Sequence, residues 1–236
     1  DQCSDCGCRV WIYPSLYEVM IGRLQIQEIG GIPLIEVNPS PLTGWYGYIK
    51  RGMDLLAAGI GLVMAIPLAI IVIAAIKMDS PGPIFYSQKR LGKNGKPIFV
   101  HKFRTMRQDA EKATGAVLAQ ANDPRITRIG KFLRKTRLDE IPQLWCVFNG
   151  DMSLIGPRPE RPELMEKYKI TSPHFHRRLA VRPGLTGLAQ IQGAYDLDIE
   201  SKLRYDLTYI YNVNMLLDIK ILLATVKVVF TGKGAM

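Results

Sequence analysis

Residues Leu55 to Ile76 read LLAAGIGLVMAIPLAIIVIAAI, 22 positions without a charge. About 20 apolar residues suffice to cross the hydrocarbon core of a bilayer as a helix. A buried helix of a water-soluble fold rarely runs so far without a polar position, so the stretch predicts a membrane-inserted helix. Its flanks are Lys50-Arg51 before and Lys77 after, and both carry the charge expected on a cytoplasmic face. Pro67, at the centre, removes a backbone hydrogen bond and forces a kink. Two topologies stay open on these residues alone: a kinked helix that spans, and a re-entrant one that enters and leaves by the same face.

The rest of the chain has the charge of something that meets anions. Over 236 residues the formal net charge is +10, which suggests a phosphorylated ligand or an anionic membrane surface. Aromatic content is 8%, and no Arg/Lys stretch is interleaved with aromatics as a single-strand nucleic-acid groove requires; no nucleic-acid partner is expected. Cys3, Cys6 and Cys8 supply three thiols in C-x2-C-x-C spacing, short of the four that close a zinc site. With the lone Cys146 they read as reduced cytosolic thiols. No secretory signal is visible. RVWIYPSLYEVMIG predicts a strand, a turn at Pro14 and a short helix, and GIPLIEV another strand. Residues 1–45 thus read as the last part of an α/β domain and a linker, and the chain as a fragment of something longer.

Beyond the membrane segment, GKNGKP between IFYSQKRL and IFVHKF signals a hairpin. From Pro124 the period becomes helical. Ile126, Ile129 and Leu133 share one face, and Arg125, Arg128, Lys131 and Lys135 the other, a pattern that suits a membrane surface. MLLDIKILLATVKVVF, residues 215–230, is apolar but interrupted by Asp218, Lys220 and Lys227, and reads as an interfacial or packing helix.

KTRLDEIPQLW, residues 135–145, sets Asp139 and Glu140 in one of the most basic parts of the chain. Pro142 is tolerated in the first turn of a helix, so a helix over IPQLWCVF would begin near residues 139–141. The acid pair would then sit at a helix mouth that lowers carboxylate pKa values and keeps them ionised. Arg158, fixed between two prolines in GPRP, and Arg182, before Pro183-Gly184, are rigid cations suited to bidentate phosphate recognition. Lys102 and Arg104 in KFRTM and Arg137 beside the acid pair complete the candidate phosphate and substrate-binding residues. Asp139 and Glu140 are the candidate catalytic pair and magnesium ligands, since magnesium takes one or two carboxylates plus substrate phosphates. One acid would be a nucleophile, the other a metal ligand or proton acceptor.

SPGPIFYSQKRLGKNGKPIFVHKFRTM, DPRITRIGKFLRKTRLDE, LDEIPQLWCVFNGDMSLIGPRPERPE and RPGLTGLAQ, in that order, resemble the bacterial sugar transferases, the monotopic polyprenyl-phosphate phosphoglycosyl transferases. The likeness runs from about Lys50 to the C-terminus. It implies an α/β membrane-associated protein. A mostly helical monotopic catalytic domain (81–236) with a small β-hairpin and interfacial amphipathic helices would follow a re-entrant helix (46–80). Residues 1–45 would be the remnant of a Rossmann-like, nucleotide-binding-like domain of longer members. The implied reaction moves a sugar 1-phosphate from a UDP-sugar to undecaprenyl phosphate and releases UMP. Asp139 would form a covalent phospho-sugar intermediate, with Glu140 and Mg2+ assisting and Arg158 and Arg182 holding phosphate. This would be the first membrane step of capsule, exopolysaccharide or O-antigen synthesis, on the cytoplasmic face of the bacterial inner membrane. The domain of longer relatives is compatible with a homodimer.

The family's membrane helix is broken by a proline, which makes Pro67 the expected break. Some small members carry Ser-Pro there, whereas Ile66 precedes Pro67 here and brings no hydroxyl. Two rival readings are a basic membrane scaffold without chemistry and a metal-dependent glycosyltransferase that releases UDP. For the second, the nearest DxD is Asp196-Leu197-Asp198.

Overall fold

The computed structural model describes residues 10–12, 26–29, 32–37, 42, 44–108, 110, 123–192 and 198–231. The chain divides into two compact units, Asp1–Pro41 and Leu42–Met236. In the first, β1 (Val10–Ile12), β2 (Ile26–Ile29) and β3 (Ile32–Val37) form a sheet in the order β1-β3-β2. All its pairings are antiparallel, with Ile29 opposite Ile32 and Val10 opposite Val37. The two strands read from the sequence are present, and IQEI adds a third that the pattern did not reveal. The short helix expected after Pro14 lies outside the described residues, as do Cys3, Cys6 and Cys8.

The second unit begins with α1 (Trp45–Asp79), a helix of 35 residues. At 1.5 Å per residue it is about 50 Å long. Pro67 lies inside it without ending it, so the expected break is not an interruption of the helix. The proline withholds one backbone hydrogen bond inside the helix. The side of α1 that faces the unit carries Lys50, Asp54, Ala58, Val72 and Ile76, all buried. The opposite side exposes Leu56, Ile60, Val63, Met64, Ile70 and Ile71. Both ends of α1 therefore touch the same body. Arg51 donates to the carbonyls of Val147 and Phe148 at 2.6 and 2.7 Å, and Asp79 accepts from Ile129 N–H at 3.0 Å.

After α1 comes the hairpin of β4 (Phe85–Leu91) and β5 (Pro97–Phe103), antiparallel with Tyr86 opposite Lys102. Asn94 and Gly95 take positive φ at its tip, which is what an Asn-Gly turn supplies at little steric cost. Helix α2 (Arg128–Thr136) starts four residues later than the periodicity suggested. Ile126 is spent on a bridge to Met106, and Thr127 caps the helix by accepting from Gly130 N–H. Gly130 lies so close to the Thr105 carbonyl that no side chain fits between them.

The chain continues through α3 (Gln143–Asn149), β6 (Ser153–Ile155), α4 (Pro162–Thr171), a 3-10 segment (Pro173–Ala180), β7 (Gly184–Thr186), α5 (Leu188–Gln192), α6 (Ile199–Asn212) and α7 (Met215–Thr231). Strands β6 and β7 pair in parallel, Ser153 with Gly184 and Ile155 with Thr186.

Two apolar cores are built partly from α1. Ala58 joins Ile98, Val100, Val147 and Met152; Val72 and Ile76 join Phe103 and Leu133. Burying each of these larger side chains contributes about 1.5–3 kcal/mol, so α1 is a wall of the fold as well as an apolar surface. Helix α7 behaves similarly. Its Asp218, which made it look too charged for a membrane, is buried and accepts from Lys50 at 2.5 Å, Tyr46 at 2.7 Å and Tyr209 at 2.9 Å. Lys50, read as a flanking topology charge, is thus largely consumed by an internal ion pair.

Candidate active site

Asp139 and Glu140 do not lie in the first turn of α3. They occupy a 3-10 turn, Leu138–Glu140, between α2 and α3. The turn exists because Arg137 adopts left-handed φ/ψ and stops α2; its carbonyl then accepts from Glu140 N–H at 3.2 Å. Helix α3 begins only at Gln143, with no side-chain cap. The helix-mouth account of the acid pair is therefore replaced by one based on side chains.

Glu140 is the centre of that account. Its Oε1 accepts from Lys102 Nζ at 2.6 Å and from Arg158 Nη2 at 2.6 Å. Lys102 also stands 3.9 Å from Asp139 Oδ2. Strand β5 supplies the lysine, the loop after β6 the arginine, and the 3-10 turn the acids. Burial works against the Glu140 charge, but Arg158 and Lys102 outweigh it and hold the carboxyl well below the usual carboxylate range. Asp139 goes the other way. Burial pushes it above the ordinary aspartate value, with Lys102 opposing and Glu140 adding to the rise. The expectation that both acids would be lowered holds for Glu140 alone. Burial lowers Lys102 against the pull of Glu140, while Glu140 raises Arg158.

The proline-flanked loop that carries Arg158 is tied down on every side. Gly156 N–H donates to Thr186 O, Gly184 N–H to Pro157 O at 2.9 Å, and Leu91 N–H to Glu160 O. Arg90 Nη1 reaches Pro159 O at 3.1 Å. The Glu160 carboxylate meets Lys202 and, at 3.3 Å, Arg178 Nη1; Arg178 in turn holds Asp206. This buried network was not anticipated from the sequence. Its one local signal is Glu160 itself, inside PRPERP; Arg178, Lys202 and Asp206 are separated from it by long stretches of chain.

The remaining expected site residues divide. Arg182 is exposed on the segment that leads into β7, beside the Arg158 loop through the Pro183 and Gly184 backbone bonds. It has no ion pair with either acid among the described residues. Arg104 is buried, and its Nη2 donates to Ser80 O at 2.7 Å and Ser80 Oγ at 3.0 Å. Its bonds thus go to the end of α1 and not to the acids. Arg137 serves the site through its backbone turn. Asp198 of the DxD candidate caps α6 by accepting from Ser201 N–H at 3.1 Å, which accounts for it structurally.

The arrangement is a buried Asp139 beside a half-buried Glu140, offset by two partly exposed cations. Among the described residues no cluster of three or more His, Cys, Asp or Glu could hold a metal by itself. Asp139 carries no hydrogen bond among the described residues, and Glu140 has its second oxygen outside the bonds to Lys102 and Arg158. Those hard oxygen donors are the kind magnesium accepts alongside substrate phosphates. An acid without a donor beside an acid pinned by cations is a division of labour suited to nucleophile and supporting group.

Comparison with known proteins gives the family. The family model described as bacterial sugar transferase matches residues 45–232. The chain is 39% identical over 237 residues to the UDP-N-acetylgalactosamine-undecaprenyl-phosphate N-acetylgalactosaminephosphotransferase of Aeromonas hydrophila, covering 99% of this chain and 55% of that protein. It is 37% identical over 239 residues to the UDP-glucose:undecaprenyl-phosphate glucose-1-phosphate transferase of Escherichia coli (strain K12), covering 99% and 51%. The exopolysaccharide production protein PSS of Rhizobium leguminosarum bv. phaseoli is 41% identical over 195 residues, 79% of this chain and 98% of its own length. The chain thus spans about half the length of the first two relatives and nearly all of the third.

Proposed function

The chain belongs to the bacterial sugar transferase family, and on that premise we propose that it moves a hexose or N-acetylhexosamine 1-phosphate from a UDP-sugar to undecaprenyl phosphate. The observation that supports this most directly is the site itself: a buried Asp139 without a hydrogen bond, next to a Glu140 held by Lys102 and Arg158.

In the proposed reaction an Asp139 oxygen attacks the phosphorus that carries the sugar. The bond from that phosphorus to the bridging oxygen breaks, and UMP leaves with the electron pair. An oxygen of undecaprenyl phosphate then attacks the same phosphorus and frees the carboxylate. Burial favours attack, because a poorly solvated carboxylate has less hydration to shed. Phosphoryl transfer depends on positioning and on cations that offset the spreading charge. Lys102 and Arg158 are placed for this, and Arg182 lies on the segment next to the Arg158 loop. Two acids and two cations in the site cancel, so a diphosphate donor brings charge that the four do not neutralise. Magnesium, held by Asp139 and Glu140, would supply that neutralisation.

The membrane side of the proposal rests on α1. Both its ends meet the same body, which suits a helix that returns to the face it entered, with the site on the cytoplasmic side of the inner membrane. The UDP-releasing alternative loses support because its Asp198 is a helix cap.

The test is to incubate the chain with a UDP-sugar, undecaprenyl phosphate and magnesium and to identify the nucleotide. UMP is expected, and Asp139→Asn abolishes its release. With donor and no lipid, the peptide containing Asp139 gains the mass of a sugar phosphate. UDP as the product, or turnover undiminished in Asp139→Asn, overturns the proposal.

A further inference from the structure

We propose that Asp54 and Asp79, one on each side of Pro67 in α1, are positioning residues for this reaction: Asp54 holds the segment that carries Arg158, and Asp79 holds the helix that delivers Asp139 and Glu140. The inference rests on the phosphoglycosyl transfer reading above and adds to it the means by which the two halves of the site are held in register.

Asp54 is 3% exposed, on the face of α1 that also buries Lys50 and Ala58. Its Oδ1 accepts from Leu154 N–H at 3.0 Å. Leu154 is the middle residue of β6, and the chain runs from there through Gly156 and Pro157 directly to Arg158. Prolines on both sides of Arg158 fix their own φ angles, so a shift at β6 passes to the guanidinium with little slack. The same strand is gripped from behind, since the Tyr209 hydroxyl lies 3.1 Å from Ile155 O and 2.9 Å from Asp218 Oδ1, its one proton shared between them, and Asp218 holds Lys50 of α1.

Asp79 does the corresponding work at the other end. Its Oδ2 accepts from Ile129 N–H at 3.0 Å, one of the donors that the start of α2 leaves without an intrahelical acceptor. Helix α2 ends in the left-handed Arg137, whose carbonyl takes the Glu140 N–H. Moving the start of this nine-residue helix therefore moves the acid pair. Neither Asp54 nor Asp79 joins an ion pair among the described residues. Each carboxylate is committed to a single backbone donor in the element it holds.

The two halves meet at the 2.6 Å contact between Arg158 and Glu140. A change of bend at Pro67 would swing Asp54 and Asp79 relative to each other, and hence Arg158 relative to the acids. Misplacement of reacting groups by about 1 Å can lower a rate about a hundredfold.

The experiment compares the full chain in lipid nanodiscs as wild type, Asp54→Ala, Asp54→Asn, Asp79→Ala, Arg158→Ala and the Asp54→Ala/Arg158→Ala double variant. Hydrogen–deuterium exchange and turnover per mole of folded enzyme are both measured. In Asp54→Ala exchange is expected to rise at 153–158, and in Asp79→Ala at 128–134, each leaving the other segment as in the wild type. Turnover number falls about tenfold or more in both alanine variants, while KM for the donor stays within about twofold. Asp54→Asn, which keeps an oxygen acceptor, restores most of the turnover. Because Asp54 acts through Arg158, its loss adds little once Arg158 is gone.

Unchanged exchange at the named segments overturns the proposal, as does an undiminished loss on top of Arg158→Ala. Asp79→Ala removes one half of a single bond to Ile129 N–H while Thr127 still caps α2, so it carries the comparison even where Asp54→Ala does not fold. The exchange readout is independent of the chemistry. A wild type that makes no UMP would count against the reaction proposed above, and the exchange would still decide whether the two carboxylates hold their elements.

Discussion

Asp139 and Glu140 are adjacent in the chain and shift in opposite directions. Glu140 has a folded value below its unfolded one. Its ion pairs therefore stabilise the fold above the ordinary glutamate range, and that stabilisation is lost as the pH falls through the lowered value. Asp139 has a raised value, so folding favours its protonated form and stability declines as the pH rises through it. As nucleophile, Asp139 needs its charge. The acid limb of kcat/KM for the donor should thus lie above the ordinary aspartate value of 3.8. Lys102 pulls Asp139 down, so Lys102→Met should move that limb further up; a pH–rate profile of the two enzymes measures both. An unmoved limb would show that Asp139 is not the titrating group. The acids and Arg158 were legible because two carboxylates in a basic run, and an arginine between prolines, are local patterns. What each side chain bonds to was not legible. Lys102 is 38 positions from Glu140, and Arg158 is 18. Arg104, two residues beyond Lys102, turned out to bind the end of α1.

At the scale of elements, the hairpin, the amphipathic helix and the apolar helix could all be read from turn chemistry and period. The boundaries shifted wherever a tertiary contact claimed a residue, as when Ile126 joined a bridge and Thr127 became the cap of α2. The three-residue strands β6 and β7 have no periodicity to read and exist through their partners. Docking of α2 on the end of β5 depends on Gly130, which faces the Thr105 carbonyl. Gly130→Ala should lower stability by about 1–3 kcal/mol, measured by thermal unfolding in detergent, and should reduce turnover, although alanine has the higher helix propensity. A stability equal to the wild type's would mean that α2 can slide without consequence.

For the whole molecule, the decisive relation is that one helix is bound at both ends to one body. If that body faces the cytoplasm, both ends of the helix do too. Lys50 is a poor reporter because it is buried in its pair with Asp218. Tyr48 and Met78, 85% and 88% exposed, are better. In a background with the four native cysteines replaced by serine, Tyr48→Cys and Met78→Cys should both react with an impermeant maleimide from the cytoplasmic side. Reaction of one of them from the opposite side would show a crossing helix. The positive flanks point to the same expectation, although Lys50 and Arg51 owe much of their placement to internal bonds. A helix that walls two apolar cores while its far side is itself apolar and exposed cannot be cut away to yield a water-soluble enzyme. Trimming residues 45–79 would tear Ala58, Val72 and Ile76 out of the interior, and salt or alkaline washing of membranes should leave the protein behind until a surfactant takes the place of the bilayer.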